Sequence, residues 1–342
     1  MILSGDAGAT KTELALFSDS NGKLQKLYSE RFESKDYSSL DVIIRKFLMD
    51  KETTVTSACI GIAGTVIDGI GRSTNLPWIL DEKLLSRELN IPCFRLANDL
   101  EIIAAAVTVL GEKDLITIYK GLGKLTEGSK AVIAPGTGLG QAALFYSGNE
   151  YNIIATEGGH SDFAVSDETE FELYKYLKNI YGHVSYERIA SGMGLVNVFN
   201  FLKDSDYAKV SERILQRLSE EDEAAVISGE ALNKNCKVCE KALDIFTSVL
   251  GAQAGNMVLN YKATGGVYLG GGIPLKILEK LNDSTFLRSY LSKGRLSYLT
   301  EMTPVYVIKD KSSGLLGAAL MSSQYSSKGQ AKVRIDLGNQ NM

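Results

Sequence analysis

KAVIAPGTGLGQAALFYSGNEYNIIAT, residues 130–156, reads as three strands joined by two turns. Lys130–Ala134 is an apolar run of strand length. Pro135-Gly136-Thr137-Gly138-Leu139-Gly140 is a glycine turn. Gln141–Tyr146 is a strand, Ser147-Gly148-Asn149-Glu150 a turn, and Tyr151–Thr156 a third strand. The N-terminus repeats the plan. Ile2–Ser4 is short and apolar, and Gly5-Asp6-Ala7-Gly8-Ala9-Thr10 is a glycine turn. Thr12–Phe17 is a hairpin arm, Asp19-Ser20-Asn21-Gly22 an Asn-Gly hairpin turn, and Leu24–Phe32 the third strand. Glycine turn and hairpin turn lie about a dozen residues apart in both copies. Two copies about 130 residues apart point to a duplication, and so to two related domains, not to a solenoid.

Outward from the copies, helices and strands alternate. Ser38–Leu48 is helical, with apolar residues at 40, 43, 44, 47 and 48. Ser57–Ala63 is a buried strand, Leu80–Leu89 a helix, Cys93–Ala97 a strand and Leu100–Leu110 a buried helix. Asp167 and Glu170 have capping-box spacing, and the helix behind them ends near Gly182. Lys237–Leu259 is a long helix. Residues 265–274 read as strand, glycine turn and a Pro that opens a helix. Val305–Lys309 is a strand and Gly314–Met321 a small-residue helix. The polar tail after Ser322 is expected to be loosely ordered. Strands and helices in this order make the fold class α/β.

Composition narrows the function. The 342 residues suit two domains. A net charge of −4 argues against a nucleic-acid partner, because phosphate contacts need clustered cations. No run of consecutive apolar residues reaches the roughly 18 of a membrane span. Met1-Ile2-Leu3-Ser4-Gly5-Asp6 carries no signal-peptide pattern. The four Cys (59, 93, 236, 239) read as reduced thiols, which fits the cytoplasm. Cys236 and Cys239 form a lone CxxC without a second pair, so they read as core thiols and not as a zinc site.

Three glycine turns, each after an apolar strand, point to a nucleotide. Gly5 to Thr12 is a near-miss for a Walker A loop, with Thr10 where Gly is needed and a strand behind it. A hairpin turn can still present N–H groups to phosphate. Asp6 in that turn could hold Mg²⁺ through water, or simply cap its own turn. The second turn, with Gly136 and Thr137, could grip the same polyphosphate. The third, Gly270-Gly271-Gly272, would let the backbone approach a base or ribose. Asn98-Asp99 ends a strand and opens a helix. That suits a helix cap with Glu101, or a carboxylate that takes a proton from a substrate hydroxyl. Glu157 and His160 flank two glycines, and that loop could hydrogen-bond a polyol with the glycines leaving room for it. Glu187 lies in a charged helix start and reads as a solvated residue in a helix's first turn.

Together these residues resemble the bacterial-type glucokinase family of the actin-like sugar-kinase ATPases. The resemblance spans about Leu3 to Leu320. It is carried by residues 135–140, by Glu157-Gly-Gly-His-Ser-Asp-Phe-Ala164, by His183-Val-Ser-Tyr-Glu-Arg188 with Ser191-Gly-Met-Gly-Leu195, and by Asn98-Asp99, Leu269–Ile273 and Gly314–Gly317. It implies a two-domain actin-like, ribonuclease H-like fold with duplicated hairpin-containing domains around a central cleft. The boundaries would be 1–109 plus 308–342, and 110–307. It implies ATP-dependent phosphorylation of glucose to glucose 6-phosphate by a homodimer. Asp99 would be the general base. Asn98, Asp99, Glu157, His160 and Glu187 would bind glucose. Asp6, Gly8, Thr10, Gly136, Thr137, Gly271 and Gly272 would contact ATP, with Mg²⁺ on Asp6 through water. One departure is Ala9, where the family has Gly, so a left-handed backbone there would be strained. The Cys-rich zinc motif of the related repressor group is absent.

Phosphoryl transfer needs positioning and charge stabilisation, and closure of two lobes would exclude water. Two other readings stay open: a kinase for another hexose or amino sugar, and a non-catalytic sugar sensor. A filament-forming ATPase would not need Glu157, His160 and Glu187.

Overall fold

The computed structural model describes every residue except Ala9, Asn21, Gly22, Thr74, Asn75, 124–126, Asn149, Lys311 and 337–342. The chain divides into two compact units, Met1–Leu110 with Ser312–Met342, and Gly111–Lys311.

In the first unit the strands are β1 (Ile2–Ala7), β2 (Lys11–Ser20), β3 (Lys23–Glu33), β4 (Ser57–Ile62), β5 (Gly64–Ile67), β6 (Ile70–Ser73), β7 (Ile79–Asp81) and β8 (Cys93–Asn98). The main sheet has the order β3-β2-β1-β4-β8. Its first three strands are antiparallel, whereas β1, β4 and β8 run parallel. A small antiparallel sheet, β5-β6-β7, stands beside it in the chain. The helices are α1 (Leu40–Leu48), α2 (Glu82–Glu88), α3 (Asp99–Val107) and the C-terminal helix Ser313–Asp336. Leu3, Leu14, Ile43, Ile44, Phe47 and Ile60 are fully buried between α1 and the sheet.

The second unit contains β9 (Leu115–Tyr119), β10 (Lys130–Pro135), β11 (Leu139–Tyr146), β12 (Tyr151–Thr156), β13 (Val267–Leu269) and β14 (Val305–Ile308). Its sheet has the order β12-β11-β10-β13-β14-β9. The pattern of the first unit returns: an antiparallel trio, then parallel neighbours, with β9 added antiparallel at the edge. Its main helices are α4 (Glu168–Tyr181), α5 (Gly192–Asp204), α6 (Glu212–Glu220), α7 (Glu223–Leu232) and α8 (Lys237–Tyr261). Among the described residues α8 is the one helix long and apolar enough to cross a membrane. Its apolar window is 72% buried, so here it is a core helix, with Ala242, Phe246, Val249, Leu250 and Val258 inside.

Two elements differ from expectation. The predicted helix from Leu80 starts two residues later, because Leu80 belongs to β7 and Asp81 is the N-cap, accepting from Lys83 and Leu84 N–H. After Ser322 the backbone continues the C-terminal helix through Asp336. Leu315, Ala318 and Ala319 are buried at its start, and Ser323 Oγ donates to Asp19 at 2.6 Å. Once a helix is nucleated, each added residue costs little. The Asn21-Gly22 turn and Ala9 lie outside the described residues, as does Asn149 of the second hairpin turn. All four cysteines are free, and three of them are buried.

Candidate functional site

The first unit gathers Asp6, Asn98 and Asp99 at the carboxyl ends of its parallel strands. Asp6 stands opposite Gly61 of β4, and Gly61 stands opposite Ala97 of β8. With strands about 4.8 Å apart, two steps put β1 and β8 roughly 10 Å apart. Gly61 is glycine because α3 packs directly on it: a Cβ would meet Ile102 Cδ1 at 2.3 Å. Burial, and the carboxylates of Asp99 and Glu13, push Asp6 up to about 7 from its ordinary 3.8. Glu13 faces Asp6 in the β1–β2 register.

Asn98 is a helix cap in full. Its Oδ1 accepts from Leu100 N–H at 2.8 Å, and Glu101 Oε2 accepts from Asn98 N–H at 2.8 Å. Its Nδ2 donates to Gly64 O at 2.9 Å, which leaves one amide hydrogen and one lone pair unused by these bonds. The cap and a ligand role are therefore compatible. Asp99 is the first residue of α3, and its Oδ1 accepts from Leu100 N–H at 2.9 Å. In the first glycine turn, Gly8 N–H donates to Lys11 O at 3.0 Å. Ser34 fixes both sides of it: Oγ donates to Gly8 O, and N–H donates to Thr10 O, each at 2.8 Å.

The second unit gathers the second glycine turn with Glu187 and His160. Leu139 N–H donates to Glu187 Oε2 at 2.9 Å, and His160 Nε2 lies 3.6 Å from Glu187 Oε1. Glu187 sits in a single 3₁₀ turn, Tyr186–Arg188, and its side chain is 16% exposed. It is not the solvated helix-start residue of the bland alternative. Gly138 is required beside it, since a Cβ there would meet Glu187 Oε2 at 2.4 Å.

Glu157 and His160 are exposed on the loop that follows β12. The two glycines between them are each required by packing against β11. A Cβ on Gly158 would meet Gln141 Oε1 at 2.5 Å, and one on Gly159 would meet Leu139 O at 2.1 Å. They let the loop lie flat on β11. Gly159→Ala is therefore expected to cost about 1–3 kcal/mol of stability. The midpoint of urea unfolding checks this. A parental midpoint would mean that the loop yields freely.

Gly136 and Thr137 border a cavity of about 550 Å³ together with Arg188, Asn197, Asp222, Ser228 and Lys276. Arg188 lies over the Tyr181 ring at 3.9 Å, Tyr181 Oη donates to Asn197 Oδ1 at 2.9 Å, and Asn197 Nδ2 donates to Arg188 O at 3.0 Å. This wall carries no local sequence signal, since its residues come from α4, α5 and the 3₁₀ turn. Gly136 O accepts from Gly192 N–H at 2.8 Å, which joins the turn to the start of α5. Gly271 and Gly272 are not in the lining, but Ile273 directly after them is. Gly271 has φ +80°, and a Cβ would stand 2.9 Å from Pro135 O, so glycine is required there twice over.

The glucokinase family model matches residues 3–325. A glucokinase of Nostoc punctiforme is 39% identical over 340 residues, covering 95% of this chain and 99% of that protein. The crystal structure of a glucokinase from an Antarctic psychrotroph superposes with a TM-score of 0.82 at 28% identity, covering 94% of this chain and 98% of that one. The glucokinase of Balamuthia mandrillaris, solved in complex with glucose, shares the fold at a TM-score of 0.78 and 21% identity, covering 94% and 93%. The duplicated sheets are those of the actin-like sugar-kinase fold. The chain belongs to the glucokinase family.

Proposed function

We propose that the chain transfers the terminal phosphoryl group of ATP to the 6-hydroxyl of glucose, with Asp99 as general base. The observation that carries the base assignment is the placement of Asp99 at the head of α3, at the carboxyl end of β8, on the sheet edge that also holds Asp6. A sugar hydroxyl is a weak acid. Asp99 takes its proton as the oxygen attacks the γ-phosphorus, and the bond from that phosphorus to the leaving ADP oxygen breaks. Asn98, Glu157, His160 and Glu187 hydrogen-bond the sugar hydroxyls. Glu187 is held by Leu139 N–H, so its position is set before sugar arrives. Gly8, Thr10, Gly136 and Thr137 supply turn N–H groups and hydroxyls to the phosphates. Gly271 and Gly272 lie by the nucleoside, and the cavity beyond Thr137 takes the base.

The residues fit Mg²⁺. Asp6 is a hard oxygen donor raised by burial and then by neighbouring carboxylates, a state that a cation relieves. No cluster of three or more His, Cys, Asp or Glu suited to a metal occurs among the described residues, which suits an ion that keeps most of its water. Bound there, Mg²⁺ would neutralise charge on the transferring phosphates. The proposal includes a cytoplasmic location, in keeping with the four free cysteines, and a homodimer.

Coupled ADP release with Mg-ATP across glucose, mannose, fructose, galactose and N-acetylglucosamine tests the substrate. Glucose is expected to have the highest kcat/KM by at least about tenfold. A higher value for another sugar would move the assignment to that sugar. Glucose-dependent thermal stabilisation without any turnover would make the protein a sensor.

A further inference from the structure

Beneath the loop of Glu157 and His160 runs a line of buried amides. Gln141 lies on β11 opposite Thr156, at the foot of that loop, and is 1% exposed. Its Oε1 accepts from Gln253 Nε2 at 3.2 Å. Gln253, 4% exposed on α8, accepts at Oε1 from Asn256 Nδ2 at 3.1 Å. Asn256 Nδ2 also donates to Tyr186 Oη at 3.0 Å, and Tyr186 is the residue before Glu187. Gln253 and Asn256 are three apart on α8 and so share one face.

Lys293 sets the direction of the line. An ammonium only donates, and Lys293 Nζ donates to Asn256 Oδ1 at 2.9 Å and to Ala252 O at 2.8 Å. Asn256 must then turn its NH₂ toward Gln253, and Gln253 its NH₂ toward Gln141. Each amide has one orientation. The line ends at Gln141 Nε2, which is buried and has no acceptor among the described residues. It ends against the loop: Gly158 lacks a Cβ where Gln141 Oε1 stands.

We infer that Gln253 is a positioning residue. Through Gln141 it supports the loop of Glu157 and His160, and through Asn256 and Tyr186 it supports the segment of Glu187, so that one helix face sets the spacing of three sugar-binding side chains. The inference rests on the assignment of those three residues to glucose. It extends that assignment to residues that touch no substrate. The energetic content is cooperative, since removing either amide leaves its neighbour unpaired in a buried place.

The test is a double-mutant cycle with Gln141→Met and Gln253→Met, which keep side-chain volume and remove the polar atoms. Each single variant is expected to raise the KM for glucose roughly 10- to 100-fold, with kcat and the KM for ATP within about twofold of the parent. The double variant is expected to be no worse than the worse single one, because the two residues act as one unit. Val258→Ala, buried on the side of the same helix turned away from Gln253 and Asn256, serves as the stability control. It is expected to lower the unfolding midpoint without moving the KM for glucose. Unchanged glucose KM in both single variants, or effects that multiply in the double, overturns the inference. Glu157→Ala is measured alongside. If it leaves the glucose KM unchanged, the sugar assignment itself fails; if it raises that KM while the Gln variants do not, only the positioning role fails. Should a Gln variant not fold, Tyr186→Phe removes a single hydroxyl from the line and is expected to raise the glucose KM in the same way. A parental KM there is equally fatal to the inference.

Discussion

Asp99→Asn is expected to lower kcat by about 10²–10⁴-fold, with the fold intact. The substitution isolates basicity. An Asn at this position keeps an Oδ1 that can accept from Leu100 N–H, as Asp99 does at 2.9 Å. The cap of α3 belongs to Asn98 and Glu101 and is untouched. The lost negative charge at the helix N-terminus costs about 0.3–1 kcal/mol. Removing one of the carboxylates that crowd Asp6 works in the opposite direction. The net change in stability is therefore small, and a fall in rate cannot be assigned to unfolding. Initial rates of ADP release at saturating glucose and Mg-ATP measure it. The KM for glucose is expected to change by much less than kcat, because the amide still hydrogen-bonds the sugar. A kcat near the parent's would remove Asp99 from the proton transfer, whatever the protein binds.

The sheets were legible because their strands are punctuated. Short apolar runs that end in glycine turns left few alternatives, and the repeat of that punctuation gave the duplicated plan. β5, β6 and β7 were not legible. They are three or four residues each and half exposed, and their turn uses Asp68 and Gly69 with positive φ, so no alternation is long enough to see. Capping chemistry misplaced one helix start, since Asp81 reads equally well as an interior residue until Lys83 and Leu84 N–H are seen to point at it. Around the candidate site, what sequence lost was partners distant in the chain. Glu187 and Leu139 are 48 residues apart, and Gln141 and Gln253 are 112 apart. The missing side chains of Gly158 and Gly159 accommodate β11, a packing demand that nothing local in the sequence announces. Nothing local marks Tyr181, Asn197 or Lys276 as cavity wall, because each looks like an ordinary surface residue of its helix.

Asp6→Asn is expected to move stability and activity in opposite directions. Asp6 is held at about 7 by burial, Asp99 and Glu13, against 3.8 in the unfolded chain. The native state therefore keeps a proton that the unfolded state releases between about pH 4 and pH 7. A raised carboxyl makes folding less favourable as pH climbs through that window, and the penalty is complete above about pH 7. It amounts to at most about 4 kcal/mol at 1.36 kcal/mol for each tenfold change in proton affinity. An amide of the same shape carries no charge to desolvate. In EDTA and without nucleotide, the Asn variant should unfold at a higher midpoint than the parent at pH 8, and the gap should shrink at pH 5. Activity should go the other way. Without the carboxylate, the Mg²⁺ concentration for half-maximal turnover is expected to rise at least about tenfold, a loss of about 1.4 kcal/mol in binding. A variant that unfolds earlier than the parent at pH 8 would mean that the Asp6 carboxylate has a stabilising partner. A variant with parental Mg²⁺ dependence would mean that the ion is held elsewhere. The two measurements are independent, and together they separate a residue strained for the sake of a cation from one that is merely buried.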